Sequence, residues 1–395
     1  MIILQPAFKL LTIGGCWRPS PWTTTGKRIL YAFYTVFVFL LLHSFCLSQL
    51  LNALWNVQTT DDLSDSFYMF IANILACFKL IVVLLNHENI KILCEKLRTR
   101  PCEPRNREEM AIQRDYDRKI GSVTIYYAAL VEITVLCMII SSLLTDFRHK
   151  KLAYNVWLPF NHSSGQLYYV AYVHQLVSLI ATSILNVAGD TIFCGLCVHA
   201  CSQQAILQHR LKELPTQDRP DIGPIVKFHK YLYRYSLTMQ EKFQAMIGIQ
   251  LLASTLVVCF ILYQLTNTPL MSLRYLQFVL YMVCMMTQIF FYCWYGNALK
   301  LKSVEMADAI FEIDWINLDN STKRSLIMIM RRATNPIELT SVYVFTMDLG
   351  TFVSVSRTFE PFPIRRCLPV ITFRSFQILR MSYSTYNLLQ RNEDL

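Results

Sequence analysis

The commonest pattern along this chain is neither the alternation of a half-buried strand nor the one-sided stripe of a surface helix. It is the long apolar run. The first, from Leu30 to Leu51, holds 22 residues without Asp, Glu, Lys or Arg. A helix needs roughly 20 apolar residues to cross a bilayer. Comparable runs recur at about 29–54, 67–86, 121–144, 168–202, 246–265 and 276–297, and a composite seventh ends near Leu389. The pattern predicts an all-α integral membrane protein of seven transmembrane helices, forming one domain over residues 1–395. The fourth run is too long for a simple crossing, so its second half is expected to project beyond the bilayer.

A different period appears between the runs. After Ile225, apolar residues recur at Phe228, Leu232, Tyr235, Met239, Phe243 and Met246. That three–four spacing is a helix continuing into the fifth run. Met306, Ile310 and Ile313, then Leu326, Ile329 and Met330, repeat the pattern after the sixth. His87 to Ile120 is rich in both charges and carries Pro101 and Pro104, which predicts a helix, a break and a second helix. Each such helix has one dry face to bury, so these extensions are expected to pack together or against another subunit.

Charge gives the chain its direction. Lys and Arg number 4 in the N-terminal tail, then 0, 9, 3, 7, 1 and 6 in successive loops. Alternate segments therefore hold 26 and 4. Positive residues stay in the cytoplasm, so the N-terminus is expected inside and, after seven crossings, the C-terminus outside. A G-protein-coupled receptor runs the other way. Its Asp-Arg-Tyr counterpart, Asp146-Phe147-Arg148, falls on the outer side here, and no Asn-Pro-x-x-Tyr follows. A transporter would favour paired halves with broken helices, and no such symmetry is visible.

Composition changes the picture little. Apolar residues make up 54% and charged residues 16%, against about 25% charged in soluble domains. The net charge of +10 sits beside the apolar runs, where bilayer orientation accounts for it, so nucleic acid is not an expected partner. The N-terminus lacks a basic lead before its apolar stretch, so the first run is expected to act as a signal anchor. The predicted outer loops contain none of the 13 cysteines, which argues against a disulfide framework. Cys194, Cys197 and Cys201 read as small apolar helix residues, since no adjacent His or Cys pair completes a metal site. Asn161-His162-Ser163 is a glycosylation sequon in the second outer loop, with Asn161 the acceptor.

Four ionisable residues fall inside the runs: Lys79, Glu132, His174 and Asp190. A charge near the bilayer centre costs about 2.5–3.5 kcal/mol on insertion scales and marks function by default. The second and third spans are expected to be antiparallel neighbours, which would pair Lys79 with Glu132; the alternative for Lys79 is snorkelling to the inner interface. Glu132 reads equally as a hydrogen-bonded structural carboxyl, and His174 as either a ligand sensor or a satisfied helix residue. Tyr68, Phe70, Tyr168, Tyr169, Tyr172, Tyr275 and Tyr281 cluster at predicted outer ends. They form either an interfacial belt or a pocket for a small apolar molecule oriented by Tyr hydroxyls. No catalytic constellation, phosphate loop or cofactor motif accompanies them, so no enzyme and no cofactor is expected.

Several stretches resemble insect odorant receptors of the divergent, ligand-tuned class. They are Leu10-Leu11 through Trp17-Arg18-Pro19, Leu152 to Phe160, Gln288 to Asn297, Ser303, Trp315, Arg332-Ala333 with Pro336, and Ser382-Tyr383-Ser384 with Leu388-Leu389. Each is weak alone; their order and spacing are specific. The resemblance implies an odorant-gated, non-selective cation channel, with four subunits around one pore. A tuning subunit like this one would join the odorant receptor co-receptor as a heterotetramer in the plasma membrane of an olfactory neuron dendrite, surrounded by membrane lipid. A small volatile apolar ligand would bind among spans 2, 3, 4 and 6, with Tyr68, Phe70, Ile139, Tyr172, Val173, Leu176 and Tyr281 as candidate contacts. Ser384, Asn387, Leu388 and Arg391 would line the pore, and the cytoplasmic helical extensions would form the anchor region between subunits. The gustatory receptors are the nearest alternative family, although their closing motif differs. One departure stands out. Residues 353–376 are 24 extra positions, including Pro361, Pro363, Pro369, Arg357, Arg365 and Arg366. These residues suit a pore helix poorly, so 353–376 is expected to be an insertion from a gene-model error.

Overall fold

A computed structural model describes residues 4–358, apart from 20, 56–59, 161–164, 217–220, 271, 316–317 and 342–344. Ten helices and one small hairpin are described: α1 (Gln5–Ile13), α2 (Thr25–Trp55), α3 (Thr60–Leu85), α4 (His87–Lys96), α5 (Arg107–Thr145), α6 (Gly165–Lys212), α7 (Gly223–Asn267), α8 (Leu273–Phe311), α9 (Asn320–Ala333), β1 (Thr340–Ser341), β2 (Phe345–Thr346) and α10 (Leu349–Thr358). Six of them, α2, α3 and α5 to α8, are long and apolar enough to cross a membrane. The expected seventh span lies outside the described residues.

Local chemistry sets where the helices begin. Asn106 accepts the Glu109 backbone N–H at 2.7 Å, while the Glu109 carboxylate reaches back to the N–H of Arg105 at 2.7 Å. This reciprocal cap starts α5 just beyond the Pro101–Pro104 break. Ser272 caps α8 by accepting from the Tyr275 N–H at 3.0 Å.

Length forces the helices out of the bilayer. At 1.5 Å per residue, the 48 residues of α6 extend roughly 70 Å, against about 30 Å of hydrocarbon. The surplus lies at the end where α6, α7 and α8 converge with α9. There Ile206, Leu211, Phe228, Leu232, Ile310, Leu326 and Ile329 make a second core, separate from that of the bundle. The periodic residues read from the sequence bury here and along α7, so the extensions pack on each other. Arg210 fastens this core. Its guanidinium donates to both Glu109 carboxylate oxygens at 2.8 Å, and to the carbonyls of Pro101 at 2.8 Å and Glu103 at 2.9 Å. It also lies 4.8 Å from the Phe228 ring.

Within the bundle, α6 is central and packs on α1, α3, α5, α7 and α8. Every residue from 187 to 204 is buried. The second and third spans are therefore not packed side by side as the pairing of Lys79 with Glu132 required, because α6 comes between α3 and α5. By contrast α2 turns apolar side chains outward, with Phe33 70% and Leu40 61% exposed. Such a face is at ease in lipid, where there is no water to avoid.

The family-like stretches acquire physical roles at the end of α8. A Cβ on Gly296 would run into the backbone of Met347, so glycine lets the β2–α10 segment lie directly on the helix. Ser303 accepts from the Ile337 N–H at 2.9 Å. The Trp315 indole donates to the Ile310 carbonyl at 3.0 Å, and Arg332 stacks over the Tyr233 ring at 4.0 Å. Phe352 of α10 packs edge-on against Phe290, with centroids 5.5 Å apart.

Candidate functional site: a cavity above a buried ion pair

Four helices, α3, α5, α6 and α8, surround a cavity of about 70 Å³. One water needs only about 10–15 Å³ on a comparable measure, so the space admits several waters or a small organic molecule. Its walls are mostly apolar: Met69, Ala72 and Leu75 from α3, Val131, Val135 and Met138 from α5, Leu179 and Val187 from α6, and Met285 from α8. Methionines suit a pocket that must adapt to its occupant, because the thioether stem is flexible and polarisable. Polar groups are few: Tyr127, Thr134, Thr182, Ser183, Asn186, Tyr281, Cys284 and Gln288.

Tyr281 belongs to an aromatic group on one side of the cavity. Its ring lies 5.7 Å from that of Tyr68, which is also 5.7 Å from Phe278. The loop before α6 folds back across this end of the bundle. Trp157 donates its N–H to the Ser48 carbonyl at 3.0 Å, and its ring meets Trp55 edge-on. Gln175 bonds both the N–H and the carbonyl of Tyr154, at 3.1 and 3.0 Å.

On the other side sits Asp190, 1% exposed, with the equally buried Lys79. The Lys79 ammonium is 2.5 Å from Asp190 Oδ1, and Tyr292 donates to the same oxygen at 2.7 Å. Oδ2 accepts from Gln288 at 2.5 Å and Tyr127 at 3.2 Å. A carboxylate has about four acceptor positions, and here all four are filled. Gln250 and Ser254 of α7 extend the network by donating to Gln288 Oε1 at 2.8 and 3.2 Å. Five helices thus meet at one ion pair. Gly189 makes room for it, since a Cβ there would lie 2.9 Å from Lys79 Cδ. Tyr127 and Gln288 belong both to the network and to the cavity wall. A ligand that displaces either side chain disturbs the ion pair directly.

The sequence-derived candidates are distributed around this site. Lys79 neither snorkels nor meets Glu132, which instead accepts from Ser183 at 2.9 Å. His174 is bonded to Ser44 at 2.9 Å. Tyr281 lines the cavity, and Tyr68 packs on it. Tyr172 is buried and shares a 2.9 Å hydrogen bond with Ser142. Phe70 stacks near Phe67, Ile139 and Leu176 are half-buried, and Val173 is 56% exposed on α6. Asn161, Ser384, Asn387, Leu388 and Arg391 lie outside the described residues. Sequence reasoning passed over Tyr127 and Asn186, and read Gln288 and Tyr292 only as part of a family-like stretch. The available signal was four-residue spacing of polar groups in apolar helices: Asn186 with Asp190, and Gln288 with Tyr292.

The 12 described cysteines are free, and Cys194, Cys197 and Cys201 are buried among apolar side chains. One group with metal-ligand chemistry occurs among the described residues, Glu108, His209 and Glu213, at the anchor end and far along α6 from the cavity. Both acids pair with the histidine and Glu108 is exposed, so it reads as a surface ion cluster.

Known proteins share this architecture. The fold resembles that of the insect olfactory receptor OR5 from Machilis hrabei in complex with eugenol, with a TM-score of 0.80 at 17% identity, covering 91% of this chain and 96% of that one. A second structure of the same receptor gives a TM-score of 0.78 at 16% identity, covering 92% of this chain and 97% of that one. In sequence, odorant receptor Or1 of Anopheles gambiae is 20% identical, covering 87% of this chain and 89% of the relative. Odorant receptor 46a, isoform A, of Drosophila melanogaster is 21% identical over 79% and 84%. The pattern of the family described as 7tm Odorant receptor matches residues 59–359, and the chain belongs to that family.

Proposed function

We propose that this odorant receptor, which is not an enzyme, is a subunit of an odorant-gated, non-selective cation channel acting with the odorant receptor co-receptor as a heterotetramer. The observation that carries the reading is the apolar cavity whose wall shares Tyr127 and Gln288 with the five-helix ion-pair network. Ligand binding shifts a conformational equilibrium only if the ligand contacts the two states differently. A cavity bounded by side chains that also hold five helices together supplies that difference. The likeness in fold to a receptor solved with eugenol supports a small organic ligand.

The rest of the proposal follows the charge pattern and the family resemblance. The N-terminus lies in the cytoplasm, the anchor core is cytoplasmic, and the C-terminus is extracellular. The receptor resides in the plasma membrane of the olfactory neuron dendrite. Tyr68, Phe70, Ile139, Tyr172, Val173, Leu176 and Tyr281 shape the binding region. Ser384, Asn387, Leu388 and Arg391 line the pore, and Asn161 carries glycan. Residues 353–376 are an insertion, which transcript reads skipping that stretch support and uniform reads across it refute.

Co-expression with the co-receptor, an odorant panel and voltage clamp test the function. Odorant currents that require both chains support it; responses from this chain without the co-receptor, or through a second messenger, overturn it. An epitope at the N-terminus that antibody reaches only after permeabilisation supports the orientation.

A further inference from the structure

We infer that the preferred ligand of this cavity is a small apolar molecule bearing one hydrogen-bond donor, an alcohol or a phenol, whose hydroxyl donates to Asn186 Oδ1. The inference rests on the proposed ligand-binding role of the cavity and specifies its chemistry.

Asn186 projects from α6 into the cavity wall. Its amide nitrogen donates to the Ala72 carbonyl at 3.3 Å, which fixes the orientation of the side chain. Turning the amide over would bring two oxygens together. The oxygen that remains, Oδ1, is buried and has no hydrogen-bond partner. A buried acceptor left unpaired is destabilising, and a donor that arrives to satisfy it gains accordingly.

The other polar groups that α5 and α6 bring to the wall are already engaged as donors, so on these two helices only Asn186 offers an open position. Tyr127 donates its hydroxyl to Asp190. Thr134 donates to the Leu130 carbonyl at 2.9 Å, Thr182 to Asn73 at 2.7 Å, and Ser183 to Glu132 at 2.9 Å. A ligand carbonyl or ether oxygen would have to compete with these bonds, whereas a ligand O–H meets a vacant acceptor. The apolar remainder of the molecule then lies against Met69, Leu75, Val135 and Met138. Asn186 also presents its backbone carbonyl 3.4 Å from the Lys79 ammonium, so the bond forms one helical turn from the ion pair.

The test compares matched pairs in which a methyl group replaces the donor hydrogen: benzyl alcohol with benzyl methyl ether, and 1-hexanol with 1-methoxyhexane. Binding to the purified full-length chain in lipid nanodiscs is measured by equilibrium competition, separately from current. Each alcohol is expected to bind about tenfold more tightly than its ether, equivalent to about 1.4 kcal/mol. In Asn186→Leu the members of each pair should bind equally. Equal or reversed affinities in the wild-type chain overturn the inference, as does a preference that survives Asn186→Leu or binding of neither member. The wild-type comparison stands even if the variant fails to fold. Tight alcohol binding without co-receptor-dependent current would overturn the channel proposal and leave this inference intact.

Discussion

Replacing Lys79 with Met tests the ion pair that joins the helices. The side chains are similar in length, so packing changes little while the ammonium disappears. Asp190 then keeps three neutral donors, Tyr127, Tyr292 and Gln288, but loses its counter-charge. Removing one partner of a buried pair costs about 3–5 kcal/mol. The opposite change, Asp190→Leu, should be worse. It leaves Lys79 with the Asn186 carbonyl at 3.4 Å and strips three further donors of their acceptor. Each unsatisfied buried group adds about 1–3 kcal/mol. The double variant Lys79→Met, Asp190→Asn removes both charges and keeps a polar partner for the tyrosines, so it should cost less than Lys79→Met and Asp190→Asn, each made singly, added together. Thermal inactivation midpoints of the purified full-length chain, with surface expression as a second readout, give the order: wild type, double variant, Lys79→Met, Asp190→Leu. A Lys79→Met protein within about 0.5 kcal/mol of wild type would behave like a surface substitution and refute the reasoning. Strict additivity in the double variant would do the same.

Other consequences follow from the packing around this network and the anchor. Arg210→Ala should cost about 3–5 kcal/mol, and Arg210→Lys should recover little, because an ammonium cannot reach both Glu109 oxygens and two carbonyls together; surface expression of the two variants checks this. Gly189→Val should displace the Lys79 stem and lower stability by about 1–3 kcal/mol, read as a lower inactivation midpoint. Burial pushes the Cys102 thiol up to about 12, with Arg210 opposing the rise. The unfolded thiol titrates near 9.0, so its contribution to stability is intact below that pH and drains away as pH rises toward 12. Alkaline melting should therefore be milder in Cys102→Ala, and a thiol reagent at pH 8 should modify Cys102 in the denatured chain but not in the native one.

Much of the fold was legible because the bilayer imposes strong rules. A run such as Leu30–Leu51 has no alternative in a hydrated core, and the three–four spacing from Phe228 to Met246 is buried along one helix face. The helix–break–helix between His87 and Ile120 followed from prolines that cannot continue a helix. Which helices touch was not legible. Lys79 and Glu132 lie on consecutive spans, yet α6 comes between them, and Lys79 meets Asp190, 111 positions away. Periodicity reports which face of a helix is buried but not what covers it. The cavity was hidden for the same reason. Asn186 and Gln288 look like isolated polar residues in apolar helices until four chains of side chains are brought around one space. The aromatics at the helix ends drew attention through their number, whereas Asn186 carries its information in a partner it lacks.

The central claim is that odorant opens a cation channel directly. Excised patches from cells expressing this chain with the odorant receptor co-receptor, bathed without nucleotides, test it most directly. Odorant on the external face is expected to open non-selective cation channels within the time of solution exchange, and patches lacking either chain are expected to stay silent. A response that vanishes on excision and returns when GTP is supplied would contradict it.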